Sequence, residues 1–257
     1  MNPSAPEGLE IPLNQHCKLL DFNKHFEIYA FEKYPGVQTH PSAEHKSHRR
    51  TLLNADFNPE SESFTWIDSA DRKKYLYLVH RLDAPTSGVL LATTNKKWSN
   101  ILKQCFAERM VIKTYHAVVK ANPRIKPGHW KDTLLKENKN GKIRVKRHKS
   151  GQIATSCMEI ERFSNSAGKF LALVKLKPQS GRTHQLRVQC AARGMPIIGD
   201  KTYGDFSLNR KIAKNTKIER MFLHATQVEI NINIPDLPPL RWVVESPVPR
   251  DFIRILS

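Results

Sequence analysis

The sequence predicts an α+β fold in which a mixed, mainly antiparallel sheet is flanked by a few helices. Two observations support this prediction. Most patterned segments are short apolar or alternating runs bounded by turn residues, which is typical of strands. Only two or three segments repeat apolar residues at helical spacing. No change of composition divides the chain, so we expect one domain over residues 20–257 after an irregular lead-in over residues 1–19.

The first half of the chain contains three predicted strands and one predicted helix. Residues 26–31 (FEIYAF) alternate, whereas residues 75–79 (YLYLV) and 88–93 (GVLLAT) are short apolar runs typical of buried strands. Apolar residues then recur at helical spacing, which predicts a helix capped by Thr94 or Asn95.

The second half contains further strands and a second helix. Residues 181–194 (GRTHQLRVQCAARG) predict a helix that ends at Gly194, because glycine commonly terminates helices. Strand patterns occupy residues 113–121, 157–163, 170–178 and 221–232.

A segment dense in Lys and Arg covers residues 131–149. Asn140-Gly141 divides it into two charged halves, which predicts an exposed basic hairpin. Such a hairpin can contact a polyanion, and a merely solvated charged surface is an equally good interpretation.

The chain carries a large excess of positive charge. Its 257 residues include 42 Lys plus Arg and 24 Asp plus Glu, so the formal net charge is +18. This excess indicates a polyanionic partner, with nucleic acid favoured over an anionic membrane surface. No apolar run is long enough for a transmembrane helix, and the basic segment lacks the apolar face of a membrane-binding helix.

The four cysteines are scattered and include no CxxC pair. This spacing indicates neither a disulfide framework nor a zinc site, and it suits a reducing cytosol. Cys105 and Cys190 lie in apolar helical patterns and are expected to be small core residues. Acidic residues and histidines do not cluster as in a metal-dependent nuclease, and no glycine-rich phosphate loop occurs.

One carboxylate stands out in the segment HRLDAPTSG, residues 80–88. Asp83 lies in a predicted loop between two buried strands, where rigid scaffolds commonly present functional groups. By itself it could be a turn acid, or a catalytic nucleophile or general base. A nearby arginine would keep it ionised, and the candidates are Arg81, Arg182 and Arg187. A glycosidase would need a second carboxylate, which this loop lacks.

The segment HRLDAPTSG resembles the catalytic signature of the RluA family of RNA pseudouridine synthases. Other motifs of the family have counterparts in the same order along the chain, over roughly residues 20–255. They are KYPGVQTHP (33–41), KTYHAVV (113–119), LKPQSGRTHQLRV (176–188) and GMPIIGDKTYG (194–204).

The resemblance implies an enzyme that converts uridine inside RNA to pseudouridine, without a cofactor or a metal. The bond between the sugar and the uracil nitrogen breaks, the uracil rotates, and it is rejoined through carbon 5. Asp83 matches the catalytic aspartate, with covalent catalysis and base-assisted cleavage both open. Tyr115 matches the tyrosine that packs against the target base, and Arg187 matches the basic residue paired with the aspartate.

Three further residues are implied at the RNA-binding surface. Arg81 matches the position that helps to displace the target base from its stack. Leu176 would line the uracil pocket, and Arg182 is expected to make a structural or phosphate contact.

The resemblance also implies RNA as the partner, with large-subunit rRNA favoured and tRNA as the alternative. We expect a cytoplasmic monomer that needs no protein partner and no membrane. A separate S4-type RNA-binding domain is not expected, because the lead-in is too short to hold one. A different class of function is a catalytically silent RNA-binding protein on the same fold, but the presence of Asp83, Tyr115 and Arg187 favours the enzyme.

The sequence departs from the family pattern at two places. The usual Lys-Pro of the first motif is Lys33-Tyr34-Pro35 here, and Gln189 follows Val188 where the family often has His. We expect the first departure to alter a loop and the second to alter helix packing, and neither to change the chemistry.

Overall fold

The computed structural model describes residues 10–41, 50–121, 124–139, 142–166 and 169–257. In those residues the strands are β1 (Cys17–Asn23), β2 (Ile28–Lys33), β3 (Asp56–Asn58), β4 (Ser63–Ile67), β5 (Lys73–Leu78), β6 (Ser87–Thr93), β7 (Val111–Lys120), β8 (Gly128–Lys139), β9 (Lys142–Arg147), β10 (Gln152–Ser166), β11 (Lys169–Pro178), β12 (Leu223–Ile232) and β13 (Leu240–Glu245). The helices are α1 (Lys96–Ala107), α2 (Gln185–Ala192), α3 (Phe206–Thr216) and α4 (Arg250–Arg254).

These elements confirm the predicted α+β class with a mainly antiparallel sheet. An isolated bridge between Gln38 and Thr51 is parallel. The chain divides into two compact units, one of residues 1–111 with 227–246 and the other of residues 112–226 with 247–257. The first strand, β1, begins at Cys17, three residues before the predicted start of the domain.

The first unit is built around β6, all of whose residues are buried. This strand pairs with β2 and with β5, and β4 and β3 extend the sheet beyond β5. Helix α1 packs its apolar side, including Leu102 and Cys105, into the same core. The predicted cap is confirmed at Asn95, whose side chain accepts a hydrogen bond of 3.2 Å from the Trp98 amide.

The second unit contains the sheet β7-β11-β10-β8-β9, with α2 packed against its core. The predicted helix over 181–194 is confirmed only from Gln185, so its predicted start at residue 181 is wrong. The reason is local: His184 has a left-handed backbone (φ 53°), and the Gln185 side chain accepts a hydrogen bond of 3.1 Å from the Arg182 amide. The chain leaves the helix at Gly194, whose positive φ of 71° favours glycine.

The predicted basic hairpin is confirmed as β8 and β9. Their register partners run from Leu134 opposite Arg147 to Lys139 opposite Lys142. Asn140 and Gly141, the predicted turn residues, lie outside the described residues. One face of the hairpin contributes Leu134 and Val145 to a small core with Val188 of α2, while most of its other described side chains are exposed.

Several elements were not predicted by the sequence pattern. Strands β3 and β4 fall in the weakly patterned residues 42–72, and β1 fully buries only Cys17, with its other residues partly buried or exposed and no clear alternation. Helix α3 fully buries only Ile212, so its apolar stripe is narrow. Its start is nevertheless well defined, because the Asp205 side chain accepts a hydrogen bond of 3.0 Å from the Leu208 amide.

Candidate active site

Asp83 lies in the loop between β5 and β6, as predicted. The loop contains a tight turn in which the Thr86 amide donates to the Asp83 carbonyl oxygen at 2.9 Å. Leu82 is buried, Asp83 is partly buried, and Arg81 is exposed. The loop therefore anchors itself through Leu82 and leaves the two charged side chains nearer the surface.

The segment KYPGVQTHP holds this loop by hydrogen bonds to both neighbours of the aspartate. The Ala84 carbonyl oxygen accepts from the Gly36 amide at 2.7 Å and from Lys33 Nζ at 3.1 Å. The Leu82 carbonyl oxygen accepts from Thr39 Oγ1 at 3.1 Å. These bonds fix the backbone on either side of Asp83. The position of the aspartate is therefore set by them as well as by its own turn.

Lys33 is the centre of this attachment. Its side chain is fully buried, and Nζ also donates to the carbonyl oxygens of Tyr34 (3.2 Å) and Val37 (2.9 Å). An ammonium group is buried at acceptable free-energy cost only when its donors are satisfied, as they are here. The neighbouring Gly36 has φ 88°, which other residues rarely adopt. The sequence pattern did not single out Lys33 or Thr39 as supports of the aspartate.

We expect Lys33→Met to lower the free energy of unfolding by at least about 2 kcal/mol, because the buried Val37 carbonyl oxygen and the partly buried Tyr34 and Ala84 carbonyl oxygens each lose a donor. Thr39→Val, which removes one hydrogen bond to the same loop, should cost about 1 kcal/mol. Urea unfolding of both variants measures the difference. Equal stability of Lys33→Met and the wild type would contradict a supporting role for the buried ammonium.

Arg81 influences the end of the same segment. The pKa of His40 is lowered, mainly by burial and next by the positive charge of Arg81. The carboxylate of Glu62 acts in the opposite direction and raises this pKa, but its effect is smaller. His40 Nε2 lies 3.1 Å from Glu62 Oε1, and Lys103 Nζ lies 2.6 Å from Glu62 Oε2. Arg81 thus lies close enough to act electrostatically on His40, whose Nδ1 is 3.2 Å from Oγ1 of the loop-supporting Thr39.

The lowered pKa of His40 predicts a pH dependence of stability. Below the ordinary value of 6.5, the unfolded chain takes up a proton at this histidine more readily than the folded protein. Its contribution to stability is therefore fully present above pH 6.5 and is lost as the pH falls through the folded pKa. Between pH 7 and pH 5, the wild type should lose more stability than His40→Gln in matched urea titrations. Parallel pH profiles would show that His40 does not titrate in this way.

Tyr115 and Leu176 lie opposite each other on β7 and β11, where their Cα atoms are register partners. Leu176 is fully buried, while Tyr115 is partly buried against the same core cluster. The structure thus brings together two predicted substrate-contacting residues on one face of the sheet, since directly paired side chains point to the same side.

Lys113 lies two residues before Tyr115, so both side chains emerge on the same face of β7. Burial lowers the pKa of Lys113. Its Nζ lies 4.0 Å from the position that a Cβ on Gly181 would take, at the turn before α2. Lys113 is a candidate functional residue that the sequence pattern did not identify. The available signal was its place at the start of the motif KTYHAVV, two residues before Tyr115.

Arg187 makes a buried, two-pronged ion pair with Asp200. Its Nε and Nη2 donate to the carboxylate oxygens at 2.7 and 2.8 Å, and the side chains are 5% and 1% exposed. Burial raises the pKa of Asp200, but the hydrogen bonds and charge of Arg187 outweigh it and hold that pKa below its ordinary value. The guanidinium also lies 5.1 Å from the centre of the Tyr203 ring. Asp200 belongs to the motif GMPIIGDKTYG, and the sequence pattern predicted no function for this residue.

Arg182 donates from Nε to the Ile153 carbonyl oxygen at 3.3 Å. This contact agrees with the structural one of its two expected roles.

The departure from the family pattern at Gln189 has a structural consequence. Its buried side chain donates to Asp132 (3.0 Å) and accepts from Ser156 Oγ (2.7 Å), which ties α2 to β8 and β10.

The predicted site residues are divided between the two compact units. Asp83 and Arg81 lie in the first unit, whereas Tyr115, Leu176, Arg182 and Arg187 lie in the second. The pairing of Arg187 with Asp83, and the other roles that join the two groups, stay predictions.

Among the described residues, no cluster of three or more His, Cys, Asp or Glu side chains could hold a metal ion. No helix in the described part of the chain is long and apolar enough to cross a membrane.

Comparison with known proteins places these motifs in a family. A family model described as RNA pseudouridylate synthase matches residues 27–192. A Yersinia pestis protein named tRNA pseudouridine synthase C is 36% identical over 170 residues, which cover 62% of this chain and 64% of the relative. A Buchnera aphidicola protein named ribosomal large subunit pseudouridine synthase C is 36% identical over 159 residues, covering 61% and 49%. The matched part is thus less than two thirds of the length of these relatives.

A solved structure supports the fold. Human RNA pseudouridylate synthase domain containing 1 aligns with a TM-score of 0.65 and 22% identity, covering 100% of this chain and 91% of that one. At this level of identity the similarity concerns the fold.

Proposed function

The chain belongs to the RluA family of RNA pseudouridine synthases, and on that premise we propose that it converts specific uridines in structured RNA to pseudouridine. The observation that carries the proposal is the family match over residues 27–192, which includes the whole HRLDAPTSG segment. The support of the Asp83 loop by Lys33 and Thr39 agrees with it, because a catalytic carboxylate must be held in place.

Asp83 acts as the nucleophile or as the base that assists cleavage at the sugar. Tyr115 packs against the uracil, with Leu176 forming the wall of the pocket beside it. In this proposal Arg187 is the basic residue that pairs with the Asp83 carboxylate and orients it. In this proposal Asp200 positions Arg187, since the two-pronged ion pair fixes the plane of the guanidinium.

A uridine inside folded RNA must leave its stack before reaction, which costs a few kcal/mol. The exposed Arg81 lies two residues from Asp83, and we propose that its side chain fills the space that the displaced base leaves in the RNA stack. The net charge of +18 supplies attraction for the RNA backbone, and the hairpin of β8 and β9 is proposed to clamp it.

The target is proposed to be large-subunit rRNA, with tRNA as the alternative. Relatives named for each substrate match the chain with the same identity of 36%, so names alone do not favour either. The purified protein should be incubated with total RNA from cells that lack its gene, without a nucleotide cofactor, and the new pseudouridines mapped. We expect product at one or a few defined positions. RNA binding without any product would favour the catalytically silent RNA-binding protein instead.

A further inference from the structure

The second unit contains a cavity of about 520 Å³ that none of the proposed catalytic residues lines. It lies where the start of β8, the middle of β10 and the end of α2 approach one another. Its lining residues are Arg124, Ile125, Lys126, Trp130, Met158, Arg193 and Met195.

The lining has two chemically distinct parts. Met158 and Met195 belong to the buried apolar core cluster of this unit, and the partly buried Ile125 packs against it and is the most accessible of the three. Arg124 and Lys126 are exposed cations at the rim. A flat base joined to an anionic phosphate matches both parts, whereas a purely apolar or purely anionic ligand would match only one.

Arg193 joins the two parts. Its guanidinium lies 4.6 Å from the centre of the Trp130 ring, and its Nη1 is 2.9 Å from Asp132 Oδ2. The carboxylate offsets the charge of Arg193 and, together with the ring, orders its planar group. Arg193 therefore offers a fixed plane on which a base can stack, and Arg124 and Lys126 add two more basic side chains to the lining.

The cavity lies close to Tyr115 along the sheet. Met158 pairs with Leu176, and Leu176 pairs with Tyr115, so these residues form a row across β10, β11 and β7. Since adjacent strands are about 4.8 Å apart, Met158 and Tyr115 are separated by about 10 Å. Neighbouring nucleotides of an unstacked RNA strand can span that distance.

We propose that this cavity is a subsite for an unstacked nucleotide next to the target uridine. Its base lies against Ile125 and the plane of Arg193, above the buried Met158, and its phosphate is bound by Arg124 and Lys126. The inference rests on the proposed function, because it takes RNA as the substrate. It assigns to the second unit a part in choosing the sequence around the target.

Two variants and their controls test the subsite. Arg124→Glu with Lys126→Glu should raise KM for the mapped RNA at least tenfold and leave kcat nearly unchanged. Lys211→Glu with Lys214→Glu, two exposed cations of α3, changes the net charge equally and should change KM much less. Ile125→Trp narrows the cavity without altering charge and should also raise KM, whereas Ile125→Val should not.

Equal effects of the two double variants, or a normal KM for Ile125→Trp, would overturn the subsite. Ultraviolet crosslinking of a short oligouridylate to the wild type gives a second readout that needs no turnover. We expect the crosslink in the tryptic peptide of residues 125–131, which contains Trp130, and its absence there contradicts the subsite. A wild type that crosslinks at this peptide but forms no pseudouridine would refute the proposed function alone.

Discussion

Asp83→Asn should abolish pseudouridine formation, by at least about 10⁴-fold, because loss of an essential nucleophile or base removes most of the rate enhancement. Asparagine has nearly the same size, but it is neither nucleophilic nor basic enough to replace the carboxylate. The fold should tolerate the change, because the loop is held through the carbonyl oxygens of Leu82 and Ala84. RNA affinity should stay within about threefold, less than 1 kcal/mol.

Tritium release from RNA labelled at uracil carbon 5 measures turnover, and filter binding measures affinity. Asp71→Asn is a matched control, since Asp71 is an exposed carboxylate of the same unit with a left-handed backbone that asparagine also tolerates. Normal product formation by Asp83→Asn would remove the aspartate from the mechanism. Loss of both turnover and thermal stability would instead give the residue a structural role.

Arg187→Met should lower the free energy of unfolding by about 3–5 kcal/mol, because removal of one partner leaves a buried, unpaired charge. The charge left behind is Asp200, which is 1% exposed. Arg220→Met is a suitable control. Its partner Asp251 is 26% exposed and can regain water, so the loss of stability should be smaller.

The double variant Arg187→Met/Asp200→Asn separates stability from chemistry. Asparagine at 200 can still accept the hydrogen bonds from the Thr202 and Tyr203 amides, so removal of its charge should restore part of the lost stability. Urea unfolding of the four proteins gives the coupling free energy, expected at up to about 3 kcal/mol. Continued inactivity of the stabilised double variant would place Arg187 in the reaction. Recovery of turnover would mean that its role is structural.

Local signals explain which elements the sequence predicts well. Strand β6 is a short apolar run, and helix α1 combines apolar residues at helical spacing with the Asn95 cap. The basic hairpin also follows from a local pattern of charge around two turn residues. Helix α2 was predicted too long, because the left-handed His184 and the hydrogen bonds of Gln185 delay its start. Strands β3 and β4 have short or polar sequences, which give little periodicity.

By itself, the sequence determined the fold class, the family and the loop that contains Asp83, because short motifs and local periodicity carry that information. Only the tertiary structure decided what supports the loop and what pairs with Arg187. Lys33 meets Ala84 across 51 residues of sequence, and Gln189 meets Asp132 across 57. Buried donors and charges must find partners somewhere in the folded chain, and residue type alone does not specify which distant partner satisfies them.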